Sequence, residues 1–113
     1  MYTETRPWGQ FTNLYDQTHS KVKTIQVNPG QRLSLQSHQK RSEIWVVIRG
    51  TAVVQINEDH FSLTVGESIQ IPVGTKHRLQ NASSELLEII EVQTGTYFGE
   101  DDIVRYEDDY QRV

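Results

Sequence analysis

The sequence predicts an all-β fold, a small antiparallel β-barrel or jelly roll, on three observations. Short segments alternate apolar and polar residues with period two, turn residues separate them, and no stretch carries a sustained 3.6-residue apolar stripe. In chain order, residues 21–28 (KVKTIQVN) put Lys23, Ile25 and Val27 on one face, and Pro29-Gly30 ends the run. Residues 32–38 alternate Leu33 and Leu35 against Ser34 and Gln36. Residues 44–48 (IWVVI) form a continuous apolar run closed by Arg49-Gly50. Residues 52–56 alternate again, and Asn57-Glu58-Asp59 turns the chain into a strand over 60–65. Gly66 interrupts, 68–71 resumes, Pro72-Val73-Gly74 turns, and 78–80 and 86–93 complete the series. The expected organisation is a single domain over residues 1–113. It comprises an irregular N-terminal arm (1–20) carrying Trp8, Phe11 and Leu14, a barrel (21–95), and an acidic tail (96–113) with a short helical turn.

The 113 residues suit one domain, and a hydrophobic content of 35% implies a compact core with a well-solvated surface. The absence of cysteine excludes disulfides and thiolate ligands. No apolar run approaches the roughly 18 residues of a membrane helix, and the first residues do not read as a signal peptide, so no membrane partner and a cytoplasmic location are expected. A net charge of −4 argues against nucleic acid as a partner. The acidity is concentrated in EDDIVRYEDD (residues 100–109), which reads as a solvated tail, whereas Lys40, Arg41, Lys76 and Arg78 flank two histidines and suit an anionic ligand.

Two short clusters carry the chemistry. Gln36 and His38 are two apart on one strand and so point to one face, and Glu43 opens the next strand within reach of the same point. His77 follows the Pro72-Val73-Gly74 turn, which can aim it inward. A lone histidine would read as an ordinary polar residue; four such residues at these spacings read as a metal site. Imidazole nitrogen with carboxylate and amide oxygen suits zinc, manganese, iron, cobalt or nickel.

Gly30-(x5)-Gln36-x-His38-(x4)-Glu43-(x6)-Gly50 resembles the first motif of the cupin superfamily, with glutamine replacing the first histidine. Gly66-(x5)-Pro72-x-Gly74-(x2)-His77-(x3)-Asn81 resembles the second motif without a gap. Arg6-Pro7-Trp8-Gly9, the stretch from Pro29 through His38, Arg41-Ser42-Glu43-Ile44-Trp45, Ile71 through Leu79, Ile90 through Gly95 and Gly99 through Arg105 extend the likeness almost from end to end. Together they are similar to the type II phosphomannose isomerase domain. In that family the domain usually follows a mannose-1-phosphate guanylyltransferase domain. These residues contain no nucleotidyltransferase segment, so nucleotide-sugar synthesis is not implied. The resemblance implies a cupin (double-stranded β-helix) barrel and one divalent ion, zinc first, held by Gln36, His38, Glu43 and His77. Two positions depart from the family pattern: Lys40 and Ile44 stand where the family often has histidine.

The implied reaction interconverts mannose 6-phosphate and fructose 6-phosphate through a cis-enediol. It needs a Lewis acid, a base at carbon and a cation for the phosphate. By resemblance Arg41 contacts phosphate or stabilises the enediolate, with Arg78 and Lys40 as further cations. Glu91 and Gln93 share a face of the last strong strand. Glu91 is a candidate base, or alternatively orients a metal-bound histidine; Lys40 is a second candidate base, and Gln93 a candidate substrate contact. The competing reading is a non-catalytic sugar- or sugar-phosphate-binding regulatory cupin, which Lys40 and Ile44 favour. A metal-dependent dioxygenase is disfavoured by Gln36. The expected small-molecule partner is a sugar phosphate. A homodimer is expected through the segment 6–14 or the sheet face of 44–48.

Overall fold

A computed structural model describes residues 1–110, and within them eleven strands build two antiparallel sheets. The strands are β1 (Tyr2–Arg6), β2 (Gly9–Asp16), β3 (Ser20–Val27), β4 (Leu35–His38), β5 (Arg41–Arg49), β6 (Ala52–Ile56), β7 (Asp59–Leu63), β8 (Ser68–Ile71), β9 (His77–Gln80), β10 (Leu87–Gly95) and β11 (Ile103–Glu107). One sheet runs β1-β2-β3-β10-β5-β8 and the other β11-β4-β9-β6-β7. A single 3-10 turn, Glu100–Asp102, precedes β11. The all-β expectation therefore holds, and no helix among the described residues is long and apolar enough to cross a membrane.

The expected strands over 21–95 all form, with shifted ends. Between β6 and β7 the hairpin loop is only Asn57-Glu58, because Ile56 pairs with Asp59. Asn57 takes the positive φ (52°) that such a loop needs. The N-terminal segment is not an irregular arm. It forms the hairpin β1–β2, and β2 pairs along β3. Its alternation was hidden because Phe11 faces the core, Asn13 faces a cavity, and a register shift lies between Asn13 and Tyr15. The tail is likewise not simply solvated: β11 pairs with β4, and only its residues 111–113 fall outside the described chain.

The inner face of the first sheet changes character along its strands. At one end Phe11, Ile25, Ile89 and Val47 stand in one cross-strand row, and Val27 pairs with Leu87 beyond it. Ala52, Val54 and Leu79 of the second sheet complete this core, all with 0% exposure. Each such aliphatic side chain contributes on the order of 1.5–3 kcal/mol by leaving water. Toward the other end the same strands present Lys23, Glu91 and Trp45, then Lys21, Gln93 and Glu43. The apolar end holds the two sheets together, and the polar end is free for chemistry.

Two motif residues have structural reasons. Asn81 is fully buried; its Nδ2 donates to Val27 O (2.9 Å) and Glu85 O (2.7 Å), and its Oδ1 accepts from Ser83, so it ties the end of β3 to the loop before β10. Gly50 has φ +82°, and a Cβ there would stand 2.6 Å from Leu86 O. Gly50→Ala is expected to destabilise the protein by about 2–3 kcal/mol, from strain plus a backbone collision. Urea unfolding checks this; an unchanged midpoint would contradict it.

Candidate metal centre and substrate cavity

At the polar end, β4 and β9 of one sheet face β5 and β10 of the other. Gln36 of β4 pairs with His77, the first residue of β9. His38 is two residues further along β4, and Glu43 lies on the inner face of β5. His38, Glu43 and His77 are all buried, and one donor atom of each lies within 4.8 Å of the others. Three of the four expected residues thus form one cluster, and Gln36 approaches it through His38.

Hydrogen bonds fix which atoms carry lone pairs. His77 Nδ1 lies 2.9 Å from Thr75 O, a pure acceptor, so the proton sits on Nδ1 and Nε2 is bare. That Nε2 faces Glu43 Oε1 at 3.6 Å. His38 Nε2 lies 2.8 Å from Arg41 Nη2, a pure donor, so this nitrogen too is bare. Gln36 Nε2 donates to Ser34 Oγ (3.0 Å), which turns Gln36 Oε1 toward His38 Nε2 at 3.1 Å. Amide oxygen, two imidazole nitrogens and a carboxylate thus aim acceptors at one region. Such a set fits a divalent ion with N/O preference. His77 also shows the arrangement usual for a metal-ligating imidazole, its second nitrogen donating to a backbone carbonyl.

In the structure the positive charge among these acceptors is Arg41, 5% exposed. Its Nε donates to Glu43 Oε2 (3.0 Å), Nη2 to His38 and Nη1 to Phe98 O (3.2 Å). Gln36, Glu43, His77 and Arg41 line a cavity of about 70 Å³, whereas His38 is capped by the guanidinium and does not.

Burial sets the protonation states. His38 is pushed down to about 3 by desolvation, then by Arg41 and His77. His77 is lowered by desolvation against the Thr75 hydrogen bond. Glu43 is raised well above the usual carboxylate range by burial and the neighbouring Glu91. Burial pushes Glu91 up as well, but Lys23, a hydrogen bond from Glu43, Arg41 and Trp45 together hold it below the ordinary value.

The remaining expected residues divide. Glu91 lines the cavity, accepting from Trp45 Nε1 (3.0 Å) and Gln93 Nε2 (2.8 Å). Among the described residues it hydrogen-bonds no histidine, so no contact supports the histidine-orienting alternative. Gln93 is 1% exposed and sits behind the carboxylates, off the cavity wall, so it does not reach a substrate there. Arg78 lines the cavity, but its three nitrogens donate to Leu33 O, Glu107 Oε1 and Glu107 O. It ties β9 to the flanking segments rather than standing free. Lys40 is exposed, with its ammonium 5.3 Å from the Tyr97 ring centroid and outside the cavity wall, so a catalytic role for it is not supported. Ile44 faces away from the cavity, since Glu43 and Trp45 face in. Neither departure from the family pattern touches the interior.

Ser34, Lys23, Arg6 and Arg105 also line the cavity and were not singled out from sequence. For Lys23 a signal existed, since it alternates in phase with Ile25 and Val27. Arg105 pairs with Gln36 across β11–β4, but its strand is short and its neighbours acidic.

A family described as mannose-6-phosphate isomerase C-terminal matches residues 2–108. Among curated relatives, xanthan biosynthesis protein XanB of Xanthomonas campestris pv. campestris is 50% identical over 96% of the chain. Alginate biosynthesis protein AlgA of Pseudomonas aeruginosa is also 50% identical over 96%, and a mannose-1-phosphate guanylyltransferase of Salmonella montevideo is 46% identical over 95%. The chain spans only 23%, 22% and 23% of these proteins' lengths. Among solved structures, KdgF from Halomonas sp. superposes with TM-score 0.77 at 15% identity, covering 87% of this chain and 86% of that one. Capsular polysaccharide assembling protein CapF from Staphylococcus aureus gives 0.80 at 20%, covering 94% and 31%. A protein with a double-stranded β-helix domain from Klebsiella pneumoniae gives 0.75 at 21%, covering 86% and 83%. These structural likenesses show the fold.

The depressed His38 value gives a pH prediction. An unfolded histidine takes a proton as pH falls through its ordinary value of 6.5, while folded His38 resists until about 3. Protons therefore favour the unfolded chain in that window. The stability that His38 contributes is complete above it and declines as pH drops, by at most about 1.4 kcal/mol per pH unit. In the metal-free protein, imidazole NMR should show His38 neutral at about pH 5. A midpoint near its unperturbed value would refute the burial and hydrogen bonding assigned to it.

Proposed function

The chain belongs to the mannose-6-phosphate isomerase C-terminal family, and from that membership we propose that it is a metal-dependent aldose–ketose isomerase interconverting mannose 6-phosphate and fructose 6-phosphate through a cis-enediol. One observation carries the proposal. Buried His38, Glu43 and His77 gather ligating atoms within 4.8 Å of one another, part-buried Gln36 turns its Oε1 toward His38 Nε2, and Gln36, Glu43 and His77 stand at the wall of a cavity. Zinc is the first candidate ion, with manganese, cobalt, nickel or iron as alternatives.

The bound ion would act as a Lewis acid on the sugar's carbonyl and adjacent hydroxyl. The chain's own residues supply the rest. Arg41, tied to the ligand carboxylate, stands at the end where enediolate charge develops and stabilises it there. Glu91 is ionised, lines the cavity and is fixed by Trp45 and Gln93, so it is the proposed base that carries the proton between C1 and C2. Lys23, Arg6 and Arg105 give the cavity positive charge for the phosphate. The wall aromatics Trp8, Phe11 and Trp45 exclude water from the reacting carbons.

A second reading, a binding cupin without turnover, is favoured by one observation: both Glu91 oxygens already accept hydrogen bonds. The two readings part in one assay. Metal-loaded protein incubated with mannose 6-phosphate is expected to yield fructose 6-phosphate, and no turnover with zinc, manganese, cobalt or nickel would sink the isomerase. His38→Ala is expected to lose both the ion and at least about 100-fold in activity; full activity without metal would overturn the ligand assignment.

The homodimer stands as part of the proposal. On the outer face of the first sheet, Val22, Val92 and Ile44 form one cross-strand row beside Ile90 and Val46, an apolar stripe suited to a second copy. The segment 6–14 pairs within its own chain here, so the sheet face is the better of the two expected contacts. A monomeric mass by light scattering would refute the dimer.

A further inference from the structure

The cavity beside the candidate metal centre is too small for a hexose phosphate. About 70 Å³ accommodates an ion and a few waters, whereas small-molecule sites run to several hundred. A second chamber of about 240 Å³ adjoins it, and Arg6, Phe11, Lys23, Arg41, Glu100 and Ile103 are walls of both.

Two wall residues of this outer chamber carry a polar group without a hydrogen bond or ion pair to protein. Asn13 Oδ1 is buried with no hydrogen-bond donor. Lys23 Nζ has no carboxylate within 4.0 Å among the described residues and lies 4.4 Å from the Phe11 ring centroid. The other cations of the chamber are engaged: Arg6 with Glu4 and Glu100, Lys21 with Asp16 at 3.8 Å, and Arg41 with Glu43. Asn13 and Lys23 are cross-strand partners on β2 and β3. The register shift beside Asn13 is the kind of irregularity that re-aims a side chain next to a site. A buried acceptor without a donor and a half-buried ammonium without a direct ion-pair partner are each costly alone. One ligand that carries hydroxyl groups and an anionic oxygen satisfies both.

We propose that Asn13 and Lys23 form the outer subsite of the cavity, Asn13 Oδ1 accepting from a hydroxyl of an open-chain polyol and Lys23 binding the phosphate attached to it. The inference rests on the isomerase reading for the identity of the substrate, but the subsite binds the phosphorylated polyol whether or not the protein turns it over. The subsite selects for phosphorylated over free sugars, and the carbonyl end of the substrate reaches the metal while the phosphate stays in the outer chamber.

The test uses metal-loaded full chain and calorimetric titration with mannitol 6-phosphate, which has no carbonyl and cannot isomerise. Mannitol and inorganic phosphate serve as comparison ligands. The wild type is expected to bind mannitol 6-phosphate and not mannitol. Lys23→Met should weaken mannitol 6-phosphate binding about tenfold or more, Lys23→Arg should restore it to within about threefold, and neither should change metal affinity. Asn13→Ala should weaken mannitol 6-phosphate by about three- to tenfold while leaving inorganic phosphate unchanged. Wild-type affinity in Lys23→Met, or an equal loss of both ligands in Asn13→Ala, overturns the subsite. Lys23→Gln replaces Lys23→Met if thermal melting shows the latter unfolded. Lys23-dependent binding without turnover of mannose 6-phosphate would sink the isomerase and leave the subsite standing. Turnover with unchanged KM in Lys23→Met would do the reverse.

Discussion

A cluster of buried acceptors must contain a positive charge. Gln36 Oε1 and His38 Nε2 are 3.1 Å apart, and neither can donate to the other once His38 accepts from Arg41. His77 Nε2 and Glu43 Oε1 face each other at 3.6 Å. Acceptors held this close repel, and a carboxylate removed from water is costly unless it is paired or protonated. Two features ease the cluster: Arg41 bridges Glu43 and His38, and burial raises Glu43 well above the usual carboxylate range. A divalent ion held by the same acceptors would take over the role of Arg41 and leave the guanidinium free to meet an anion. The surrounding structure follows from this constraint: Ser34 turns the amide, Thr75 fixes the His77 tautomer, and Phe98 O anchors Arg41.

The barrel tolerates such a cluster because the same strands are divided along their length. β10 buries Leu87 and Ile89 at one end and Glu91 and Gln93 at the other; β5 buries Val47 and Trp45, then Glu43 and Arg41. The apolar end supplies the area that holds the sheets together, offsetting the desolvation of the polar end. Trp45 stands at the boundary. Its ring lies edge-on to His77 at 5.6 Å and its N–H reaches Glu91, so one side chain closes the core and orients the Glu91 carboxylate.

This division explains what could be read from the sequence. β6 and β8 announce themselves because their inward residues are apolar, and β3 and β10 because an alternating apolar pair, Ile25 with Val27 and Leu87 with Ile89, marks one end of each. The candidate ligand cluster was legible because Gln36 and His38 share a strand face, and the motif spacings place Glu43 and His77 opposite. β2 and β11 were obscured because Asn13 and Arg105 point polar groups toward the cavities, breaking the alternation that marks a strand. Gln93 and Arg78 show what spacing leaves out. Each lies on the right strand, yet one is bound behind the carboxylates and the other to Leu33 and Glu107. Partners of that kind depend on tertiary contacts that spacing does not reveal.

The proposed catalytic parts share a further regularity. Asn13, Lys23, Glu91 and Trp45 stand in a single cross-strand row over β2, β3, β10 and β5. Adjacent strands lie about 4.8 Å apart, so the row extends roughly 14 Å across the sheet. The metal-facing residues lie at its β5 end, where Glu43 is two positions from Trp45. The unsatisfied acceptor and ammonium lie at its β2–β3 end. A chain-like substrate laid across the strands would therefore meet the Lewis acid, the carboxylate and the cation in that order, with Glu91 between the reacting carbons and the phosphate anchor. Glu91 is held ionised by Lys23 in the same row, so an anion arriving at Lys23 would relax the field that lowers Glu91 and make the carboxylate more basic. On this geometry, occupancy of the anchor and strength of the base are coupled through one lysine, which gives the β2–β3 hairpin a part in the chemistry as well as in the fold.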